Sequence, residues 1–99
     1  MLVSGPVALE PPPGVEVVAV EDARAMRAAL DALVLAQDLI VMAAAVADFR
    51  PVAPSDRKLK RTEIGYTPTI ALASNPDILG EIGQARKARG AARPVLVRY

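Results

Sequence analysis

Three short segments of the chain carry residues whose types and spacing suit the binding of a nucleotide. The first is the alanine-rich segment Ala43–Phe49, which contains a single carboxylate, Asp48. Small side chains allow a ligand to approach the backbone, whose N–H and C=O groups can then contact the edge of a base. The alternative is that a helix packs closely over the alanines, and the segment taken by itself favours this structural role.

The second segment is the basic cluster Lys58–Arg61. Lys58 and Lys60 are separated by one apolar residue, so an extended backbone would direct both ammonium groups to the same side. Two such cations could neutralise a triphosphate or the charge that develops on a leaving pyrophosphate. The alternative is a solvated basic loop, since most exposed clusters of lysine and arginine are of that kind.

The third segment, Asn75–Ile78, has the composition of a helix start. Asn75 is predicted to cap the helix, Pro76 to occupy its first position, and Asp77 to complement the helix dipole in the first turn. Free N–H groups at a helix N-terminus also suit an anionic ligand. Capping alone would explain the same residues.

The elements that must position these segments are predicted to form an α/β fold. We expect a partial Rossmann-like parallel sheet with about four strands and two helices. The opening residues Met1–Pro6 have the pattern of the end of a strand followed by a turn, and Val15–Val20 is a β-branched strand. Asp22 is predicted to cap an amphipathic helix that runs from Ala23 to about Gln37.

The second half of the chain continues this alternation. The apolar run Leu39–Ala45 predicts a strand that is buried on both faces, as in parallel sheets covered by helices. A long polar connection over Val46–Thr67 follows, and loops of such length tend to be functional. The remaining predicted elements are a strand at Thr69–Leu72, a helix from Asn75 to about Arg89 ended by Gly90, and a strand at Pro94–Val97. Ligands of parallel sheets bind beyond the carboxyl ends of the strands, so the three segments are expected to converge there.

The composition excludes several classes of site. The chain of 99 residues has no cysteine and no histidine, so we expect no disulfide, no thiolate zinc site and no other metal site. A net charge of +1 gives no electrostatic reason to expect binding to nucleic acid or to a membrane. No apolar run approaches the roughly 20 residues of a membrane span, and the N-terminus has no signal-peptide pattern. These features predict a soluble cytoplasmic protein of one domain.

Taken together and in order, the motifs resemble phosphopantothenoylcysteine synthetase. The matching segments are Ala44–Arg50, Lys58–Arg61 and Asn75–Ile78, with Lys58 ten residues after Asp48, and Leu2–Leu9 resembles the segment after that family's second strand. The similarity covers essentially the whole chain. It implies a modified Rossmann-type sheet, a homodimer, and a ligase reaction of coenzyme A biosynthesis that joins phosphopantothenate and L-cysteine. In that reaction CTP, bound with Mg2+, activates the carboxylate of phosphopantothenate as an acyl-cytidylate, and cysteine then displaces CMP.

The resemblance also implies roles for individual residues. Lys58 would be the catalytic residue, which stabilises charge at the α-phosphate and on the leaving pyrophosphate. The residues expected to contact the nucleotide are Met42, Ala43 and Ala44 at the cytidine, Asp48 beside the nucleotide, Asn75, Pro76, Asp77 and Ile78 in a turn, and Tyr99 facing the base.

The chain departs from the family pattern at both ends. The family's first strand, its glycine-rich turn and its Ser-Ser-Gly-Lys-Met-Gly segment have no counterpart before Met1, and Arg98 stands where the family has glycine. We therefore expect a synthetase domain shortened at both ends, with weak or absent catalysis on its own. The residues leave open whether CTP or ATP is preferred and whether a decarboxylase domain was attached.

Two other functions compete with this interpretation. The first is a non-catalytic dimerising or nucleotide-binding α/β module, in which the long loop and Thr69–Leu72 pair across a two-fold axis. The second is a different Rossmann-like enzyme, such as a short-chain NAD enzyme. The chain contains no G-x-G-x-x-G motif and no Tyr-x-x-x-Lys pair, which argues against the second.

Overall fold

The computed structural model describes the whole chain, residues 1–99, as short strands alternating with helices. The strands are β1 (Leu2–Ser4), β2 (Val17–Ala19), β3 (Leu39–Met42), β4 (Phe49–Pro51), β5 (Leu72–Ser74) and β6 (Val95–Arg98). The helices are α1 (Ala23–Leu33), α2 (Arg61–Ile64) and α3 (Ile78–Ala88), and a 3-10 turn at Val34–Ala36 follows α1. The elements are therefore shorter and more numerous than the sequence pattern predicts.

The strands form three separate pairs. β1 pairs with β2 and β3 pairs with β6, both in parallel, whereas β4 and β5 are antiparallel. The prediction of mixed helices and strands with parallel pairing is confirmed. A continuous Rossmann-like sheet is not present, because no ladder of hydrogen bonds joins β1 to β3.

The predicted start of α1 is confirmed. The Asp22 carboxylate accepts a hydrogen bond from the Ala25 N–H at 2.8 Å, which satisfies one of the free donors of the first turn. The apolar face of the helix buries Met26. The helix itself ends at Leu33 rather than near Gln37, since its last turn tightens to 3-10 geometry.

The prediction that the strand at Leu39–Ala45 is buried on both faces is wrong. β3 ends at Met42, and Ile40 is 9% exposed whereas Leu39 and Val41 are each 54% exposed. The reason is that α1 and α3 cover the same side. Arg27 of α1 pairs with Glu81 of α3 at 3.1 Å and donates to the Ile78 carbonyl, so the two helices lie against each other and leave the opposite face bare.

The long connection predicted over Val46–Thr67 is also corrected, because it contains β4 and α2. The Glu63 carboxylate accepts the Lys60 N–H at 2.9 Å and pairs with Arg57 at 3.0 Å, which closes the single turn of α2. The Arg57 guanidinium and the Lys60 N–H hold the pKa of Glu63 below its ordinary value. Arg61 lies over the ring of Tyr66, 5.1 Å from its centre. The next strand occupies Leu72–Ser74 rather than Thr69–Leu72, because it pairs with β4 at those positions.

α3 begins two residues later than predicted. Its N-cap is Asp77, whose carboxylate accepts the Gly80 N–H at 3.2 Å, so Asn75 is not the cap and Pro76 is not the first helical residue. The predicted C-terminal signal is confirmed. Gly90 follows the helix with φ +65°, a backbone conformation that favours glycine.

The core is small and lies between α1, α3 and the inner faces of the parallel strands. It consists of Val20, Met26, Val34, Ile40, Ile78, Leu79 and Ile82. The radius of gyration is 17.3 Å, against about 13 Å for a compact domain of this length. The molecule is therefore extended, and much apolar surface stays accessible. None of its helices has the length and the apolar stretch needed to cross a bilayer.

Candidate functional site

Three strands end at one edge of the molecule. β3 ends at Met42 and β6 at Arg98, and the Tyr99 N–H donates to the Met42 carbonyl at 3.0 Å, which places Tyr99 beside Met42. β5 ends at Ser74 and leads directly into the start of α3. Residues that are remote in sequence therefore meet at this edge, where ligands of parallel α/β proteins bind.

The alanine-rich segment after β3, Ala44–Asp48, lies along this edge with its backbone exposed and is called the ledge below. Asn75 holds the ledge with two hydrogen bonds. Its side-chain N–H donates to the Ala47 carbonyl at 2.8 Å, and its backbone N–H donates to the Asp48 carbonyl at 2.7 Å. Because these bonds join the ledge to the start of α3, the two segments form one wall.

Arg50 supports the same wall from β4. Its guanidinium donates to the Ser74 carbonyl and, at 3.2 Å, to the side-chain oxygen of Asn75. The second bond also fixes the orientation of the Asn75 amide, since the oxygen faces Arg50 and the nitrogen faces Ala47. Asn75 is therefore the junction of the site, a role that its prediction as a helix cap had not assigned.

Asp77 and Arg98 carry opposite charges at the mouth of the site. Their side chains lie 3.0 Å apart and are 68% and 65% exposed. The Arg98 guanidinium, and secondarily the Gly80 N–H, hold the pKa of the Asp77 carboxyl below its ordinary value of 3.8. Asp77 is thus ionised at neutral pH and occupies part of the anion-binding end of α3 itself.

The wall and the Asp77–Arg98 pair line an open cleft of about 600 Å3, a volume in the usual range for small-molecule sites. Its lining combines exposed backbone, apolar side chains and three charged groups. The residues are Met42, Ala44, Ala45, Val46, Ala47, Asp48, Phe49, Ser74, Asn75, Pro76, Asp77, Ile78, Arg98 and Tyr99.

The cleft brings together most of the residues that the sequence indicated. Those that line it are Met42, Ala44, Asp48, Asn75, Pro76, Asp77, Ile78 and Tyr99. Ala43 lies outside the cleft and lines a neighbouring apolar groove instead. Lys58 is exposed in the segment between β4 and α2, does not line the cleft, and makes no side-chain hydrogen bond or ion pair.

Two lining residues were missed as members of a site. Arg98 was noted only for standing in place of a glycine, although a cation at the carboxyl end of a parallel strand is a signal for a ligand site. Ser74 contributes through its backbone carbonyl, and no side-chain pattern could have indicated it.

Comparison with known proteins shows the family to which the chain is similar. A family model described as the DNA/pantothenate metabolism flavoprotein C-terminal domain matches residues 1–97. Three relatives share the name coenzyme A biosynthesis bifunctional protein CoaBC. The protein of Vibrio parahaemolyticus is 43% identical over 82% of this chain and 20% of its own length. That of Bacillus subtilis is 40% identical over 88% of this chain and 21% of its own length.

The third relative, from Escherichia coli, is 39% identical over 89% of this chain and 22% of its own length. The chain thus spans about a fifth of the length of the curated relatives that it matches. The family model, in contrast, matches nearly the whole chain. The chain therefore belongs to the family of the DNA/pantothenate metabolism flavoprotein C-terminal domain.

Proposed function

We propose that this chain forms the nucleotide-binding part of a phosphopantothenoylcysteine synthetase and acts in coenzyme A biosynthesis. The complete reaction would join phosphopantothenate to L-cysteine at the expense of CTP, through an acyl-cytidylate. The observation that carries the proposal is the cleft in which a backbone ledge, the free carboxylate of Asp48 and the start of α3 meet. The names of the relatives support the pathway.

The shape of the cleft suggests how a nucleotide would lie. The base would contact the backbone beyond Met42, where the small side chain of Ala44 leaves the ledge open, and Tyr99 would flank it. Asp48 makes no side-chain hydrogen bond within the chain. Its carboxylate would accept a hydrogen bond from a hydroxyl of the ribose. The triphosphate would then extend toward Arg98 and the start of α3.

The activation step requires positive charge near the leaving pyrophosphate. A carboxylate oxygen of phosphopantothenate would bond to the α-phosphorus while the bond from that phosphorus to the bridging oxygen of the pyrophosphate breaks. Fixed cations stabilise the charge that develops on the leaving group. Arg98 lies at the cleft and would serve this purpose after exchanging Asp77 for phosphate. Lys58 would add its charge only once the segment between β4 and α2 moves toward the cleft or a second copy supplies it.

Mg2+ would enter with the nucleotide. The chain holds no cluster of three or more acidic, cysteine or histidine side chains. A Mg2+ ion that enters with a nucleotide is held mainly by phosphates and water, with one or two protein carboxylates.

Titration of the isotope-labelled chain with Mg-CTP, followed by amide NMR, tests the proposal. We expect saturable shifts at Ala44, Asp48 and Asn75. Parallel titrations with Mg-ATP and with pyrophosphate alone would separate recognition of the base from recognition of phosphate. An unperturbed ledge at millimolar Mg-CTP would rule out the proposed site.

The isolated chain is expected to bind without turnover. The cleft is open to solvent and Lys58 lies outside it, so the charge needed for pyrophosphate release is incomplete. A coupled pyrophosphate assay with CTP, phosphopantothenate and cysteine measures this. Turnover in the ordinary range of enzymes, about 1 per second or faster, would contradict the expectation.

A dimerising module is the second candidate function. It is favoured by the antiparallel pair β4–β5, which exposes Phe49 and Leu72 to solvent on the same face. Large apolar side chains grouped on one surface commonly mark an interface between proteins. Association that depends on concentration in sedimentation experiments, together with no response to CTP, would select this function over the first.

A further inference from the structure

Arg98 is the only cation among the residues that line the cleft. The same lining contains two carboxylates, Asp48 and Asp77, so its net charge is negative, and Lys58 lies outside it. A nucleotide with several phosphates would therefore meet one guanidinium that supplies all of the positive side-chain charge in the cleft.

The backbone of Arg98 is fixed, whereas its side chain can change partners. Arg98 lies opposite Met42 in the parallel pair of β3 and β6, and the Tyr99 N–H extends the pairing with a bond of 3.0 Å to the Met42 carbonyl. The guanidinium is bonded to the Asp77 carboxylate, and both side chains are exposed. Because an exposed ion pair contributes little to stability, exchange of this carboxylate for another anion costs little.

Release of Arg98 would leave the start of α3 intact. Oδ1 of Asp77 accepts the Gly80 N–H at 3.2 Å as well as the Arg98 guanidinium at 3.0 Å, and the first of these bonds does not involve Arg98. The carboxylate therefore remains the helix cap after the guanidinium has moved.

A phosphate offers the guanidinium more than Asp77 does. In the ion pair Arg98 bonds to a single carboxylate oxygen. A phosphate group presents two oxygens that a planar guanidinium can bind through parallel hydrogen bonds. The exchange thus replaces one bond by two.

A second arginine–aspartate pair, at the other end of β6, shows what sets Arg98 apart. Arg93 pairs with Asp38 at 2.6 Å and is similarly exposed. Neither of these two residues lines the cleft. The two arginines differ in whether a ligand in the cleft can reach them. Arg98 is also the position at which the family pattern has glycine, so the family resemblance assigns it no role.

We infer that Arg98 is a specificity-determining residue of this cleft. It leaves Asp77 for the outer phosphates of a bound nucleotide, and the cleft thereby selects nucleoside triphosphates over monophosphates. Asp77 acts as an internal competitor, since it holds the guanidinium until a phosphate replaces it. The inference rests on the proposed nucleotide site and adds the residue that distinguishes ligands by their number of phosphates.

Titrations of the isotope-labelled chain with Mg-CTP and with CMP, followed by amide NMR, measure this selectivity. Arg98→Gln should weaken Mg-CTP binding about tenfold, because charge-assisted hydrogen bonds to phosphate are lost. It should leave CMP binding nearly unchanged. Arg98→Lys keeps the charge without the planar fork and should recover part of the selectivity.

Two further variants test the exchange of partners. Arg93→Gln is the matched control, because it removes the pair at the other end of β6, and it should change neither affinity. Asp77→Asn removes the competing charge while asparagine can still cap the helix. It should bind Mg-CTP about threefold more tightly, since the ion pair no longer has to be broken. Far-UV circular dichroism and the amide spectrum of α3 show whether each variant keeps its fold.

Three outcomes would overturn the role of Arg98 and leave the nucleotide site standing. They are an equal loss of Mg-CTP and CMP affinity in Arg98→Gln, a loss of the same size in Arg93→Gln, and weaker Mg-CTP binding in Asp77→Asn. No saturable response of the native chain to either nucleotide would overturn the site and this inference together. A loss confined to Mg-CTP in Arg98→Gln, with partial recovery in Arg98→Lys, would support the inference.

Discussion

The side-chain amide of Asn75 donates a hydrogen bond of 2.8 Å to the carbonyl oxygen of Ala47, 28 positions earlier in the chain. This bond, with the backbone bond of 2.7 Å from Asn75 to Asp48, fastens the start of α3 to the ledge after β3. Both segments line the cleft, so its shape depends on one side chain that need not touch a ligand.

Replacement of Asn75 by alanine tests this junction. Asn75→Ala removes the bond to Ala47 and leaves the Arg50 guanidinium without one acceptor, so we expect a loss of about 1–2 kcal/mol in the free energy of unfolding. The ledge should loosen, and Mg-CTP affinity should fall about tenfold if the proposed function is correct. Denaturant unfolding and an NMR titration measure the two effects.

Gln84→Ala is the matched control, because it removes an exposed amide elsewhere on α3. It should change stability by less than about 0.5 kcal/mol. Equal effects of both substitutions would show that Asn75 is not a junction.

Replacement of Arg98 by glutamine should raise the pKa of Asp77. In the native chain that pKa is lowered, first by Arg98 and then by the Gly80 N–H. A carboxyl whose folded pKa is depressed stabilises the fold above its unfolded pKa, and this contribution is lost as the pH falls through the folded value. The acid limb of the stability profile, below about pH 4, should therefore flatten in Arg98→Gln.

Carbon-13 NMR of the Asp77 carboxyl through an acid titration measures the shift directly. Arg93→Gln is the control, since Arg93 pairs with Asp38 instead. An unchanged Asp77 titration in Arg98→Gln would show that the pair at the mouth of the cleft is not formed in solution.

A methyl group at Gly80 should displace the Asp77 carboxylate. A Cβ built at Gly80 lies 2.3 Å from Oδ2 of Asp77, so this side chain must rotate away and give up both its cap and its bond to Arg98. Alanine gains about 1 kcal/mol over glycine in a helix, and the lost cap costs about as much. Gly80→Ala should therefore leave stability almost unchanged while the pKa of Asp77 rises.

Gly83→Ala is the companion variant on the same helix. Its Cβ would lie 3.4 Å from Leu96, an ordinary packing distance, so it should stabilise the chain by up to about 1 kcal/mol. Thermal unfolding compares the two variants. A clear gain in stability for Gly80→Ala with an unchanged Asp77 pKa would contradict the clash.

Lys58 stays a prediction from the family resemblance, and its test requires a full-length protein that carries this domain. Lys58→Gln should abolish acyl-cytidylate formation, because a fixed cation is removed from the developing pyrophosphate. The side chain is exposed and unpaired, so the unfolding temperature should not change. Lys87→Gln on α3 provides a control of equal charge, and normal turnover in Lys58→Gln would remove the lysine from the mechanism.

Local features of the chain could be predicted from the sequence because neighbouring residues produce them. Asp22 caps α1 through a bond to the Ala25 N–H, three residues away, and Gly90 follows α3 with the positive φ that the pattern indicated. The order of strands and helices has the same origin in hydrophobic periodicity. The motifs that resemble the family are likewise short runs of neighbouring residues.

The start of α3 shows where such local reasoning fails. Asn75 and Asp77 both have side chains that can cap a helix, and the local pattern favoured Asn75. The structure assigns the cap to Asp77, because the amide of Asn75 bonds to Ala47 and Arg50 instead. That choice depends on partners more than twenty residues away.

The sequence by itself therefore determined the helix start at Asp22, the end signal at Gly90 and the motifs of the family. Tertiary structure alone decided that β4 and β5 pair antiparallel, that one face of β3 stays bare, and that Asp77 and Arg98 meet. The physical reason is the separation along the chain between the residues that interact. Caps and periodicity involve residues within a few positions of each other, whereas strand pairing and ion pairs across the cleft depend on which distant segments come into contact on folding.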